Sequence, residues 1–275
     1  MKEKDVDILR QIVRGRYARA AGEAGCGCQT ERASGCCGSS TANVDSMNQI
    51  MGYSPEELSS VVEGANLGLG CGNPTAVGEL KAGETVLDLG SGGGFDCFLA
   101  AKKVGDEGHV IGVDMTPEML SKARENALKM GTTNVEFRLG EIEHLPVADS
   151  SVDAIISNCV INLSPEKGQV FKEAFRVLRP GGRLMISDVV ATAEMPDRLR
   201  QQAAMRTGCI AGAEHVDRIK ELLMEAGFLD VKIELKTYSK KLIGGWFPGS
   251  RAEDYVASAD IHAVKTCCQV RKRPV

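Results

Sequence analysis

The segment that most restricts the fold is "TVLDLGSGGGFDCFLAAKKVG", beginning at Thr85. An apolar run of strand length passes directly into glycines and then into a stretch with helical spacing. Glycines there let the backbone turn tightly and approach a ligand with no Cβ in the way. The same unit recurs. "HVIGVDM" is a second strand ending in Asp114, and "TPEMLSKARENALKMG" is a helix with Thr116 as cap, Pro117 at its first position and Gly131 as terminator. "VEFRLG", "VDAIISN", the helix "KGQVFKEAFRVLRPGG" and the strand "RLMISDV" continue it. Repeated strand–helix–strand order predicts a parallel, doubly wound α/β sheet covered by helices on both faces.

The flanks read differently. Residues 1 to about 20 form an amphipathic helix with Val6, Leu9, Ile12 and Val13 on one side. "GEAGCGCQTERASGCCGSS" is a Gly/Ser-rich loop carrying Cys26, Cys28, Cys36 and Cys37. A second helix starts near Ser54–Pro55, and "GANLGLGCGNP" places Cys71 in a turn-rich segment. Beyond Asp188 the pattern loosens into helix-rich sequence with "DRIKELLMEAGF", followed by the strands "DVKIELKT" and "DIHAVKT". The expected organisation is an N-terminal arm over 1–75, a cofactor domain over 76–190, and a cap with the final strands over 191–275.

Composition excludes several partners. A net charge of -4 without a long basic block, and 4% aromatic residues, argue against nucleic acid. The opening is charged, and no apolar run reaches the roughly 20 residues that span a bilayer, so the expectation is a cytoplasmic protein without membrane contact. Its ten cysteines are then expected to be mostly thiols. The N-terminal "CGC" and "CC" lack the spacing common in zinc sites, and Cys267–Cys268 have no partner motif. Cys97 reads as a small buried hydrophobe.

Asp88 precedes the glycine loop, and Asp114 ends strand two where an acidic side chain binds ribose hydroxyls. The spacing alone leaves a dinucleotide and another adenosine ligand open; a pyrophosphate favours the positive end of a helix, and Asp96, in the first turn of the helix after the loop, opposes one.

"VLDLGSGGG" and "EAFRVLRPGGRLMISD" resemble the motifs of the seven-strand, Rossmann-like S-adenosylmethionine-dependent methyltransferases. That resemblance implies a glycine loop of Gly90, Ser91, Gly92 and Gly94 against the methionine end of the cofactor. It implies Asp114 with Met115 at the ribose, Glu141 with Ile142 at adenine, and Asn158 facing the sulfonium. A fuller resemblance runs through "LGCGN", "SNCVINLSPEKGQ" and "TGCIAGA" to the arsenite methyltransferases. It implies that Cys159 and Cys209 bind trivalent arsenic. Cys71 and an N-terminal cysteine, Cys37 in preference to the adjacent Cys36, then serve as further thiols in redox turnover. Arsenite or its thiol conjugates would be the substrate, and thioredoxin or glutathione the reductant. Two other readings stand beside this one: a methyltransferase for a quinone or sterol acceptor with structural cysteines, and a thiol-rich metalloid binder or redox sensor that has kept the fold.

Overall fold

The computed structural model describes residues 3–22, 41–77, 80–201, 209–246 and 249–266. The Gly/Ser-rich loop with Cys26, Cys28, Cys36 and Cys37, and the pair Cys267–Cys268, lie outside the described residues. At the centre is a seven-stranded sheet of order β3-β2-β1-β4-β5-β7-β6. Its strands are β1 (Thr85–Leu89), β2 (His109–Asp114), β3 (Val135–Leu139), β4 (Val152–Asn158), β5 (Leu178–Ala191), β6 (Leu229–Leu235) and β7 (Val256–Val264). β1 to β5 are parallel where they pair, whereas β7 runs antiparallel to both β5 and β6, so the sheet is mixed rather than wholly parallel.

The strand sequences account for this placement. A parallel strand covered on both faces needs apolar side chains up and down, which is why β1 reads as a nearly continuous run. Leu87 and Leu89 enter the core shared with Phe171, Val177 and Phe228, while Val86 enters the opposite core with Cys97, Phe98 and Ala100. Asp88, on the Val86 side of the strand, is therefore carried into the protein interior. The helices α5 (Phe95–Val104), α6 (Pro117–Met130) and α7 (Lys167–Val177) make the crossovers, and α9 (Val216–Ala226) leads into β6. β1 pairs with β2 on one side and β4 on the other, so the strand order reverses between β1 and β4. A crevice opens beyond the carboxyl ends of strands at such a point.

The N-terminal part packs over that crevice. α1 (Glu3–Gly22) buries Val13, but Ile12, placed on the same face by its spacing, is 51% exposed. α2 (Thr41–Ile50) precedes the expected second helix and had no apolar pattern to announce it. α3 (Pro55–Ser59) starts where Ser54–Pro55 predicts. The Ser54 hydroxyl accepts from Glu57 N at 3.1 Å and the Ser54 N–H donates to Glu57 Oε2 at 3.0 Å, a reciprocal cap contributing about 1 kcal/mol. The short α4 (Pro74–Val77), α8 (Asp197–Gln201) and α10 (Ser239–Trp246) complete the named helices.

Two local expectations are corrected. Thr116 caps α6 without a side-chain bond; instead its N–H donates to Asp114 Oδ1 at 2.8 Å. "LRPGG" does not extend α7, because Leu178 already begins β5. His109 is the first residue of β2, with Nε2 at 3.2 Å from Glu136 Oε1. Among the described residues, no helix is long and apolar enough to cross a membrane.

Candidate active site

The cleft beyond β1 and β4 encloses about 1100 Å³ of space open to solvent. Its floor is the glycine loop. Gly90 has φ +74°, and a Cβ there would meet Val160 Cγ2 at 2.4 Å; Gly94 has φ +91°, and its Cβ would meet the Phe98 ring at 2.8 Å. Both the backbone conformation and the close approach therefore require glycine. The loop is pinned to β2, since Gly90 N donates to Val113 O at 2.8 Å and Gly92 N to Asp114 Oδ2 at 3.0 Å. Asp88, Gly90, Ser91, Gly92, Asp114, Met115, Ile142 and Asn158 all line the cleft. Gly94 shapes the loop from behind. Glu141 turns away to α1, with Arg10 Nε at 3.5 Å and Arg14 Nη2 at 3.4 Å, and Ile142 and Glu143 present themselves to the cleft in its place.

The electrostatics favour a cation. Asp88 and Asp96 line the cleft almost without solvent. Burial pushes the Asp96 carboxyl up to about 6, although the Tyr53 hydroxyl donates to it at 2.7 Å and Asn158 Nδ2 at 3.1 Å. Asp88 is raised well above the usual carboxylate range by burial first and the neighbouring Asp96 second. The Cys97 thiol, buried as expected, is not merely apolar filler, because it lies 3.2 Å from Asp88 Oδ2 and donates to it. Arg10, the one basic side chain in the lining among the described residues, is engaged by Glu141, Glu143 and Glu166. Two further groups face the cleft with hydrogen-bonding capacity to spare: Asn48 Nδ2 and Ser91 Oγ are buried and have no partner among the described residues. A ligand bearing an ammonium, a sulfonium, a carboxylate and ribose hydroxyls fits this set, while a pyrophosphate would meet Asp96 at the start of α5.

Three cysteines meet at the end of β4. Cys71, from the turn after α3, and Cys159, from the strand end, are joined as a disulfide with Cα atoms 5.8 Å apart. Cys209 lies against them, its Sγ 2.7 Å from Cys159 O. All three are buried in one cluster, and only Cys159 reaches the cleft lining. Cys36 and Cys37 lie outside the described residues.

The backbone at this cluster is strained, since Cys159 (φ +59°) and Cys209 (φ +65°) are both in the left-handed region, which costs a non-glycine residue on the order of 1–3 kcal/mol. Surrounding bonds hold them there. Cys159 N donates to Ser187 O at 2.8 Å, Cys71 N to Asn158 Oδ1 at 3.0 Å, Asn158 Nδ2 to Gly72 O at 2.8 Å, and Ser258 Oγ to Cys71 O at 2.7 Å. Gly212 lets the Cys209 segment press on β4's extension, as a Cβ there would meet Asn162 O at 2.1 Å. Asn158 thus joins the cleft to the cluster, touching Asp96 and Tyr53 on one side and the Cys71 segment on the other.

Residues that the sequence did not single out complete the surroundings. Asp188, buried, accepts from Asn162 Nδ2 at 2.9 Å and from Val189 N at 2.7 Å, and burial pushes its carboxyl up to about 6. Lys167 is buried too, donating to Ser164 O at 3.1 Å. The signal for Asp188 was a carboxylate inside an apolar strand. Nothing local marks Tyr53 or Lys167.

Glycine loop, acidic strand ends and reversed strand order together define a methyltransferase domain that holds S-adenosylmethionine. The methyltransferase domain family model matches residues 80–227. An arsenite methyltransferase of Halobacterium salinarum is 53% identical over 268 residues, 96% of this chain and 68% of that protein. The human arsenite methyltransferase is 41% identical over 152 residues, 52% of this chain and 40% of the human protein. The crystal structure of an arsenic(III) S-adenosylmethionine methyltransferase from Chlamydomonas reinhardtii superposes with a TM-score of 0.60 at 32% identity, covering 84% of this chain and 75% of that one. The chain belongs to the arsenite methyltransferase family. It spans 40% of the length of the human relative and 49% of an arsenite methyltransferase from Aquipseudomonas alcaligenes.

Proposed function

We propose that this chain transfers the methyl group of S-adenosylmethionine to trivalent arsenic held by the thiolates of Cys159 and Cys209. The observation that carries this reading is the meeting of Cys71, Cys159 and Cys209, from three distant segments, where β4 opens into the cofactor cleft. Asp114 would hold the ribose, the Gly90–Gly92 loop and Asn48 the methionine end, Ile142 the adenine, and Asp88 and Asp96 the ammonium. S-Adenosylmethionine bound there supplies an electrophilic methyl on a positive sulfur.

Trivalent arsenic is soft and keeps a lone pair, so methyl transfer to it removes no proton and calls for no general base. None of the four histidines lines the cleft, which suits such an acceptor better than a hydroxyl or amine. The work of the protein is to hold arsenic on Cys159 in line with the methyl, roughly 3–3.5 Å away. Transfer oxidises arsenic to the pentavalent state. Two thiolates return it to trivalent by giving up two electrons and forming one disulfide, and the Cys71–Cys159 pair is a state of that kind. Cys37 is the further redox thiol in this reading, and an external dithiol of the thioredoxin type, or glutathione, resets the protein in a reducing cytoplasm. Residues 1–75 act as the thiol-bearing arm, 76–190 as the cofactor domain and 191–275 as the cap that brings Cys209.

The test is mass spectrometry of products after incubation with arsenite, thiol reductant and isotope-labelled methyl donor. Labelled methylarsenicals are expected with wild type and absent with Cys159→Ser and Cys209→Ser. Undiminished methylarsenical formation in either variant removes that cysteine from acceptor binding, and absence of methylarsenicals with wild type favours an organic acceptor of the quinone or sterol type and structural cysteines.

A further inference from the structure

Asp188 has no part in methyl transfer as described, yet it stands beside the thiols. Among the described residues, the sulfurs of Cys71 and Cys159 and a carboxylate oxygen of Asp188 form a buried set in which all ligand atoms lie within 4.8 Å of one another. Two thiolates and a carboxylate are a donor set for a tetrahedral thiophilic cation. With Zn–S near 2.3 Å and Zn–O near 2.0–2.2 Å, such a site needs its ligand atoms about 3.4–3.8 Å apart. The 4.8 Å limit is within side-chain adjustment of that spacing once the disulfide is opened.

We propose that the reduced protein binds one Zn²⁺ through Cys71, Cys159 and Asp188, in a resting form that blocks the acceptor site. The surroundings are those of a built site. The Asp188 carboxylate is oriented by Asn162 Nδ2 and by Val189 N, the kind of outer bonds that fix a metal-ligating carboxylate. Cys71 and Cys159 are held on rigid backbone by the Asn158, Ser187 and Ser258 bonds. Two thiolates and a carboxylate around a dication leave one net negative charge, and the buried Lys167 ammonium, whose field acts on both Asp188 and Cys209, balances it. Cys159, at the cleft wall, gives the ion a way in and leaves a fourth position for water or an incoming ligand.

The chemistry closes. A dithiol reductant opens Cys71–Cys159, becoming a disulfide itself and leaving two cysteine thiols. Zn²⁺ then displaces their two protons to solvent. The disulfide form has no thiolate to offer, so metal binding is redox-gated. Occupancy by zinc takes Cys159 from arsenic, so the ion competes with the acceptor and leaves the donor cleft intact.

The test uses the full chain, reduced and freed of reductant without oxygen, with Co²⁺ as a spectroscopic probe and Zn²⁺ displacing it. The expected result is one equivalent of Co²⁺ giving thiolate charge-transfer absorption and tetrahedral d–d bands. Cys71→Ser and Cys159→Ser lose this spectrum, and Asp188→Asn keeps the charge-transfer band with affinity lowered about 10–100-fold. The combined Cys26, Cys28, Cys36, Cys37, Cys267 and Cys268 to Ser variant retains it. Wild-type protein with the disulfide intact, whose fold needs no substitution, is expected to bind none at this site. The same spectrum in the disulfide form, its survival in Cys71→Ser or Cys159→Ser, unchanged affinity in Asp188→Asn, or its loss in the combined variant overturns the proposal. This reading does not depend on arsenic turnover, because cobalt binding is scored without arsenite. If the proposed function also holds, Zn²⁺ inhibits competitively against arsenite and not against S-adenosylmethionine.

Discussion

The cofactor cleft and the cysteine cluster share one wall, at Asn158 and Cys159, but they are made in opposite ways. The cleft is local. Its glycines, Asp88 and Asp114 all belong to two consecutive strand–loop units, tied together by Gly90 N to Val113 O and Gly92 N to Asp114 Oδ2. The cluster is assembled from segments 88 positions apart in the case of the disulfide, and it holds two cysteines in left-handed backbone. A locally encoded site can tolerate change in distant segments, whereas an assembled one depends on every segment arriving.

The sharpest way to break this contrast is to alter one region and measure the other. Cys159→Ser is expected to lower methyl transfer by at least about 10²-fold while the dissociation constant for S-adenosylmethionine, read by calorimetry, stays within about twofold. Loss of both functions together would mean that the regions are not separable. Gly90→Ala is the converse experiment. Its Cβ drives into Val160 and adopts φ +74°, at a cost of about 1–3 kcal/mol. Cofactor affinity is expected to fall by roughly ten- to a hundredfold on that scale, while the count of thiols titratable after reduction is unchanged.

Asn158→Ala removes the bridge itself. Its amide serves Asp96, Tyr53 and Gly72, and its carbonyl serves Cys71 N, so both cofactor affinity and methyl transfer are expected to drop by about tenfold for the loss of buried hydrogen bonds. An effect on only one of the two would sharpen the boundary to one side of this residue.

The remaining expected effect is a pH dependence. Burial raises the Asp96 carboxyl from 3.8 to about 6. In the ligand-free protein the stability linked to protonated Asp96 is therefore fully present below about pH 4 and is lost as pH rises through about 6. A cationic ligand prefers the ionised form, so affinity for S-adenosylmethionine should weaken as pH falls below about 6, by up to about tenfold per unit. Calorimetric titrations at several pH values, with Asp96→Asn as the variant whose slope is flattened, check this. A slope unchanged in that variant would assign the dependence to another group.

The same difference decides what was legible in the sequence. Strand-to-glycine transitions and capped helices are written in neighbouring residues, so β1, β2, α6 and the places of Gly90 and Asp114 at strand ends could be read directly. The antiparallel β7 could not, since nothing in "DIHAVKT" states which edge of the sheet it joins. Ile12 kept its apolar spacing and lost its burial because what covers a helix face is a matter of tertiary packing. Glu141 was placed at the adenine by position, but Arg10 and Arg14, more than a hundred residues away, draw it aside. The cysteines were visible only as recurring segments. Their meeting, and the company of Asp188, Lys167 and Tyr53, depends on chain crossings that no local pattern encodes.

X-ray absorption at the arsenic edge, on reduced protein loaded with arsenite, asks most directly whether the cluster holds the acceptor. The expected result is arsenic surrounded by sulfur, with sulfur ligands lost in Cys159→Ser and again in Cys209→Ser. An arsenic environment of oxygen, or a sulfur shell indifferent to both substitutions, would contradict it.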